Sequence, residues 1–296
     1  MNATDTLISV PEFPSSGSKI ATRSIIQLPG GQVATAIVAC QRWGLRTRYV
    51  GKLGDDAAAG IHRQEFSRAG VDVQIVTIPD CASAQSFILV DPKGERTVLW
   101  QRDQRLVPMP EDLDREWIVN ARAVLVDGAD TAAAMQAAEW ARAAAIPVIA
   151  DLDEPYPGIE PLLTKVDYLI VSRDFPAKLS GKDDLREALR ELQRRFSSRL
   201  TAATLGVEGV LAWDGKEFHH APAYRVDTVD TTGAGDIFHA GFIYGLLQNW
   251  PLGRNLDFAC AAAALNCTAV GARGGIASVE DVEALISEGR RYTAPW

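Results

Sequence analysis

Two rhythms of hydrophobic and polar positions run through the chain. In the first, short apolar runs are followed by longer stretches with helical spacing. Residues 32–43 predict a helix that Gly44 can end, and 48–50 opens a strand. Asp55 stands where it would cap a helix running towards Gly70, after which 71–73 turns extended. Strands are expected at 123–126, 148–150, 168–171 and 201–205, with helices at 131–145 and 183–196. Repeated strand–helix units predict an α/β core, a mostly parallel central sheet covered by helices on both faces.

The second rhythm is strict alternation without a following helix, around 6–29 and again around 82–100. In the later stretch, 86–90 and 97–100 flank Asp91-Pro92-Lys93-Gly94, which suits a hairpin turn. Such segments do not fit a parallel sheet, so they predict a small separate β-sheet placed as a lid beside the core. The last third is helical and rich in alanine, with helices expected at 233–249 and 256–270 and a capping box at Ser278–Asp281 opening the final one. Cys260 and Cys267 are seven apart and share a helix face, which core packing explains.

Composition narrows the function classes. With 296 residues, 47% hydrophobic and 23% charged, the chain is expected to be globular, as a single domain of core plus lid over 1–296. A net charge of −8 argues against nucleic acid as a partner. No apolar run approaches the ~18 residues a membrane span needs. The four cysteines form no C-x-x-C pair, which predicts reduced thiols, and the amino terminus has no secretory pattern, so a cytoplasmic location is expected.

The segment richest in chemistry is Asp230-Thr231-Thr232-Gly233-Ala234-Gly235-Asp236, leading into an apolar helix. Small residues let a ligand approach the backbone, and free N–H groups at a helix amino terminus stabilise an anion. A carboxylate in the same turn can accept a proton from a hydroxyl, a combination suited to phosphoryl transfer. A glycine-rich loop with an acid complementing the helix dipole would have the same composition. His62 and His239 are expected as surface or groove residues, and His219-His220 as an exposed strand end.

Asp230–Asp236 with its helix resembles the carboxyl-terminal signature of the PfkB (ribokinase-like) carbohydrate kinases. Gly30-Gly31-Gln32-Val33-Ala34-Thr35-Ala36, continuing to Gly51-Lys52-Leu53-Gly54-Asp55-Asp56, resembles the amino-terminal one, with the lid hairpin Gly94-Glu95-Arg96-Thr97 between them. Val171-Ser172-Arg173-Asp174 and Gly271-Ala272-Arg273-Gly274-Gly275 are most similar to the ketohexokinase and sulfofructose kinase branch. The resemblance implies a ribokinase-like α/β/α fold with a β-sheet lid, and ATP and Mg2+ as cofactors. Asp236 matches the catalytic base, and Gly233, Ala234 and Gly235 the anion hole. Asp5, Gly30 and Gly31 match the sugar-binding side, and Thr204, Gly206 and Gly209 the nucleotide side. Asp230 and Thr232, with the carbonyls of Ala269–Gly271, match a monovalent-cation loop, which K+ would suit. Asp151 and Asp153 follow a strand where acids could reach magnesium through water.

Three positions depart from the family pattern. Thr35 replaces a longer asparagine on the sugar side; Ser172 and Phe175 stand where an Asn-x-x-Glu element would organise magnesium water. Family members also carry a sheet strand ahead of the Asn2–Asp5 segment, and here Met1 stands where it would end, so a sheet position is expected to be unfilled or filled otherwise. The expected activity is ATP-dependent phosphorylation of a primary hydroxyl on a small sugar, a ketose or ketose-like acceptor first. A nucleoside kinase, with Phe87 and Trp100 clamping a base, and a sugar- or nucleotide-binding protein without turnover are the alternatives. Apolar lid residues, among them Ile25, Phe87, Leu89 and Val98, predict a homodimer joined through the lids.

Overall fold

The computed structural model describes residues 1–92 and 96–293. Lys93, Gly94 and Glu95, which belong to the expected hairpin turn, lie outside the described residues. In chain order the elements are β1 (Ala3–Ser9), β2 (Ser24–Gly30), α1 (Gln32–Arg42), β3 (Arg48–Leu53), α2 (Ala57–Ala69), β4 (Asp72–Thr77), β5 (Gln85–Val90) and β6 (Arg96–Gln101). Then follow α3 (Arg115–Val119), β7 (Val124–Asp127), α4 (Thr131–Ala143), β8 (Val148–Leu152), α5 (Glu160–Leu163), β9 (Tyr168–Ser172), α6 (Phe175–Ser180) and α7 (Leu185–Phe196). The last are β10 (Leu200–Thr204), β11 (Val210–Trp213), β12 (Phe218–Ala221), α8 (Ala234–Leu247), α9 (Leu252–Asn266) and α10 (Val279–Glu288).

The central sheet has the order β12-β11-β10-β9-β8-β7, parallel from β10 to β7 and closed at its other edge by the antiparallel β11–β12 hairpin. Its strands are apolar at successive positions because helices cover both faces. Ile149, Ile170 and Ala202 pack with α1, α8 and α9; their neighbours Val148, Leu169 and Ala203 pack with α4 and α7 on the other face. The expected three layers are therefore present, and every residue of β8, including Asp151, is buried.

The lid is a second sheet of order β2-β1-β5-β6. Strand alternation divides it into two faces. Asp5, Leu28, Ser86 and Trp100 share one, by the registers Asp5↔Leu28, Asp5↔Ser86 and Ser86↔Trp100. Val98 and Arg96 are two and four residues from Trp100 and lie on the same face. Ile25, Phe87, Leu89 and Leu99 lie on the opposite one. Val98 therefore does not share a surface with Phe87, contrary to the single apolar face expected. Phe87 and Trp100 cannot clamp one ligand for the same reason.

Local boundaries differ from expectation in two places. Asp56, not Asp55, caps α2, accepting from the amide of Ala59 at 3.0 Å and from Ser83 N and Oγ at 2.9 and 2.7 Å. Asp55 instead receives the amide of Asp80 at 3.0 Å, so both carboxylates bind the loop between β4 and β5 and Asp56 also caps the helix. Helix α9 starts at Leu252, directly after Pro251, and is capped by Cys267 rather than continuing to 270. Proline at the helix entrance costs nothing because its missing N–H would have no partner there. All four cysteines are buried and unbridged.

The sheet position expected to be unfilled is open. Among the described residues, β7 is the last strand of the central sheet, and β3 pairs with β4 in a separate two-stranded parallel sheet.

Candidate active site

The turn before α8 is built so that its amides stay bare. Gly233 caps the helix with φ 77°, a left-handed conformation that favours glycine, and a Cβ there would come within 2.4 Å of the Ala272 carbonyl oxygen. Ala234 N donates to Thr231 O at 3.2 Å and Ile237 N to Gly233 O at 2.9 Å. Among the described residues, the amides of Gly233, Gly235 and Asp236 have no acceptor within the chain. Gly235 faces open space, where even an added Cβ would meet no heavy atom within 4 Å. Of the three residues expected to form the anion hole, Gly233 and Gly235 thus offer free donors. Ala234 has its amide engaged, and Asp236 adds a free amide of its own.

Two side chains brace this turn against the loop after α9. Asp230 accepts Thr232 N through one carboxylate oxygen and Gly271 N through the other, both at 2.8 Å. Asn266, fully buried, donates its side-chain amide to Thr232 O at 3.3 Å and Ala272 O at 3.1 Å. From the lid, Arg96 reaches Thr232 Oγ1 at 3.4 Å and ties the lid to the turn. Gly271, with φ 86°, lets this loop pass Leu28 of the lid, where a Cβ would fall 2.4 Å from Leu28 Cδ1.

Acids crowd around the turn. Asp236, half-buried, has enough protein around its carboxyl for desolvation to push it up to about 7, with Asp151 and Asp5 adding to the rise and His239 and Arg273 opposing it. Burial pushes Asp151 up to about 8, with Asp153 and Asp127 adding. One Asp151 oxygen lies 3.3 Å from His239 Nδ1. His239 is buried, contrary to a surface or groove position, and its Nδ1 lies 2.8 Å from the Gly235 carbonyl oxygen. His62 is buried as well, its Nε2 3.1 Å from Thr4 Oγ1, and desolvation lowers its pKa to about 4. Asp153 is exposed and accepts from Tyr156 OH at 3.1 Å, while Ser172 Oγ donates to the Asp153 carbonyl at 2.8 Å. Phe175 fills the apolar core.

On the expected sugar side, Asp5 is buried on the lid face that carries Arg96, and burial pushes its carboxyl up to about 6 against a hydrogen bond from Ser86. The paired glycines owe their size to the chain itself. A Cβ on Gly30 would lie 2.0 Å from Asp5 Oδ2, and Gly31, with φ 91°, would put one 2.4 Å from Asn2 Cα. Thr35 is fully buried, so it lies beneath the floor of the site instead of lining it. Its hydroxyl accepts from Arg273 Nε at 3.2 Å, and Arg273 Nη2 donates to the Gly30 carbonyl at 2.8 Å. Arg273 is 6% exposed and its guanidinium lies 5.9 Å from the Phe66 ring centroid. A long cation from the opposite end of the chain fills the space left by the short threonine. Arg96 and Arg273 both stand within motifs of the sequence, Gly94–Thr97 and Gly271–Gly275, but neither is given a role there.

On the expected nucleotide side, Thr204 Oγ1 bonds the Val171 carbonyl at 3.4 Å, closing the end of β10 onto β9. Gly206, with φ 62°, faces open space. Gly209 is instead required by packing, since a Cβ there would meet the Ala221 carbonyl oxygen at 1.9 Å.

Arg273 is a buried cation that acts on both Asp5 and Asp236, and removing it tests the electrostatics directly. In Arg273→Met, the carboxyls of Asp5 and Asp236 lose a stabilising positive charge, so both should deprotonate at higher pH than about 6 and about 7. Carbon-13 NMR of labelled aspartate carboxyls reads the two midpoints. Unchanged midpoints would contradict the role given to Arg273.

The chain matches the model of the pfkB family carbohydrate kinases over residues 3–278. It is 30% identical to the ATP-dependent ribose-1-phosphate kinase of Halopiger xanaduensis, covering 96% of this chain and 95% of the relative. It is 27% identical to the ribokinase of Lactococcus lactis, over 96% and 94%. In fold it is similar to the Arabidopsis thaliana ribokinase complexed with ribose and ATP, with a TM-score of 0.82, 22% identity and coverage of 96% of both chains. The chain belongs to the pfkB family and is an ATP-dependent carbohydrate kinase.

Proposed function

We propose that the protein transfers the γ-phosphoryl group of ATP to a primary hydroxyl of a small sugar, with Asp236 as the general base. The observation that carries this reading is the bare amides of Gly233, Gly235 and Asp236 beside a carboxyl raised to about 7. A base with that pKa takes a proton at neutral pH and can return it, which is where general base catalysis is most effective. The amides hold the charge that develops on the transferring group without having to reorganise. Asp5 would orient sugar hydroxyls across the floor formed by Gly30 and Gly31, and the Thr204–Gly209 loop would lie on the nucleotide side. Core and lid act as one kinase domain, and the reaction belongs in the cytoplasm, where ATP is available.

A magnesium ion supplies charge neutralisation on the phosphates, and Asp151 and Asp153 would hold it or its waters. Their fit rests on Asp151, one of whose buried oxygens has no hydrogen-bond partner among the described residues. A cation there would also displace the Asp151 proton. Potassium would be held by Asp230, Thr232 and the carbonyls of Ala269 and Gly271. The buried Asn266 Oδ1, without a donor among the described residues, offers one more oxygen beside Thr232.

Ketose-like sugars are the first expectation, and relatives named for ribose and ribose 1-phosphate add ribose-type acceptors. A nucleoside acceptor is the second reading. Trp100, 66% exposed on the lid face shared with Asp5, could stack on a base. ADP release should be measured with ketoses, pentoses, pentose phosphates and nucleosides, each in sodium and in potassium. At least one acceptor should give sugar-dependent ADP, faster in potassium, and Asp236→Asn should lower its kcat about 10²–10⁴-fold. Release that no acceptor stimulates, or that survives Asp236→Asn, would refute the assignment.

The lids would also join two copies. Ile25 at 62%, Phe87 at 39% and Leu99 at 59% exposed make a continuous apolar face on the side away from Asp5. Sedimentation at tens of micromolar should show a homodimer that Phe87→Asp dissociates. Val98→Asp, on the other face, should leave assembly intact and raise the KM for the acceptor. A monomeric wild type would remove the dimer from the account.

A further inference from the structure

His239 is a buried polar residue to which the proposed chemistry gives no task. It stands four residues after Gly235 on α8, and helix side chains lean back over the turn that precedes them. The ring lies between α8 and the central sheet, against Asp151 of β8 and Ile170 of β9. Its Nδ1 is 2.8 Å from the Gly235 carbonyl oxygen and 3.3 Å from Asp151 Oδ2, and its Nε2 is 3.3 Å from the Ile170 carbonyl oxygen. A backbone carbonyl can only accept, so Nδ1 is the donor in the shortest of these contacts.

The choice of acceptor has a geometric consequence. Gly235 C=O and Asp236 N–H belong to one planar peptide and point in opposite directions. Holding the oxygen on one side therefore aims the hydrogen on the other, and Asp236 N–H is among the bare donors of the turn. In an α-helix this carbonyl also receives the amide four residues on, but its oxygen has two lone pairs, and His239 takes the second. A donor there polarises the peptide and strengthens its N–H. The other two braces, Asp230 and Asn266, bind the backbone of Thr232, Gly271 and Ala272 and leave the Gly235–Asp236 peptide untouched.

We propose that His239 is a positioning residue for the anion hole. Its Nδ1–H holds the Gly235–Asp236 peptide from behind while the rest of the ring is wedged against β9, so the sheet as well as the helix sets the direction of the Asp236 amide. The role rests on the phosphoryl-transfer reading above and adds a side chain that acts through the backbone. A core histidine that serves packing alone would have the same surroundings. The two roles differ in whether a donor at the δ position matters.

The test compares three replacements in the full chain. Asparagine carries an N–H donor at the δ position, glutamine carries one at the ε position, and leucine fills the space with no donor. Carbonyl-carbon-13 glycine combined with nitrogen-15 aspartate marks just two peptides, Gly54–Asp55 and Gly235–Asp236. The Gly235 carbonyl resonance should move upfield in His239→Leu and His239→Gln and keep its place in His239→Asn. Gly54–Asp55 should stay put in all three and so report an intact fold. With the best acceptor, kcat should fall about 10–100-fold in His239→Leu and His239→Gln and stay within about threefold in His239→Asn, with KM nearly constant throughout. If His239→Leu does not fold, the asparagine–glutamine pair carries the comparison. Equal resonances or equal rates across the variants overturn the proposal, and so does activity kept by glutamine and lost by asparagine. A wild type that phosphorylates no acceptor refutes the kinase reading, and the Gly235–Asp236 resonance still decides whether His239 holds the peptide.

Discussion

The constraint on which the site depends is a helix amino terminus that must stay unsatisfied. A first turn normally finds side-chain or water partners for its free amides. Here Gly233 takes a left-handed conformation that only a residue without a Cβ can hold so close to Ala272, and the turn it makes directs backbone donors outward. The turn cannot relax into better hydrogen bonding because Asp230 and Asn266 fasten it to the loop after α9. Both braces bind backbone groups, so what they fix is the path of the chain. The helix packs on α9 and α1 in one apolar layer, which fixes the turn relative to the sheet.

The same closeness explains the acids. Asp236 at the start of α8, Asp151 at the end of β8 and Asp5 in the lid each come from a different layer, and each is raised by burial. Three carboxylates could not all be charged in so small a volume without opposing cations. Arg273 is the buried one among the described residues, and it is held by the Gly30 carbonyl and Thr35 rather than by an ion pair with any of the acids. It therefore acts at a distance on Asp5 and Asp236, while the Met1 ammonium is the cation that favours the charged form of Asp151. An arriving phosphate chain with its metal would change this balance, which gives ligand binding a direct hold on protonation in the site.

The strand–helix alternation and the glycine-rich turn are legible in the sequence because each is written in adjacent residues. Asp236 follows its two glycines directly, so its place at the start of α8 can be read from one segment. What the sequence conceals is nearly always a matter of which side a residue faces or what comes to meet it. Asp55 and Asp56 are both plausible caps, and only the position of Ser83 selects the second. Val98 and Phe87 lie on opposite lid faces because β5 and β6 pair with Phe87 opposite Leu99, a register that apolar alternation does not specify. The burial of His62 and His239 is hidden because a single polar residue on a helix gives no sign of the surface packed against it. Arg273 is hidden for a related reason: its partners Gly30 and Thr35 lie more than two hundred positions away.

The proposed mechanism places a carboxyl poised near neutrality beside bare amides. The most direct measurement is the pH dependence of kcat/KM with the best acceptor. As the proposed base, Asp236 would have to be unprotonated to accept the hydroxyl proton, and burial pushes its carboxyl up to about 7. Below that pH the rate should therefore fall about tenfold per unit, and above it the rate should level off. A rate that stays flat down to about pH 4.5, as an ordinary exposed aspartate would give, would contradict the central claim.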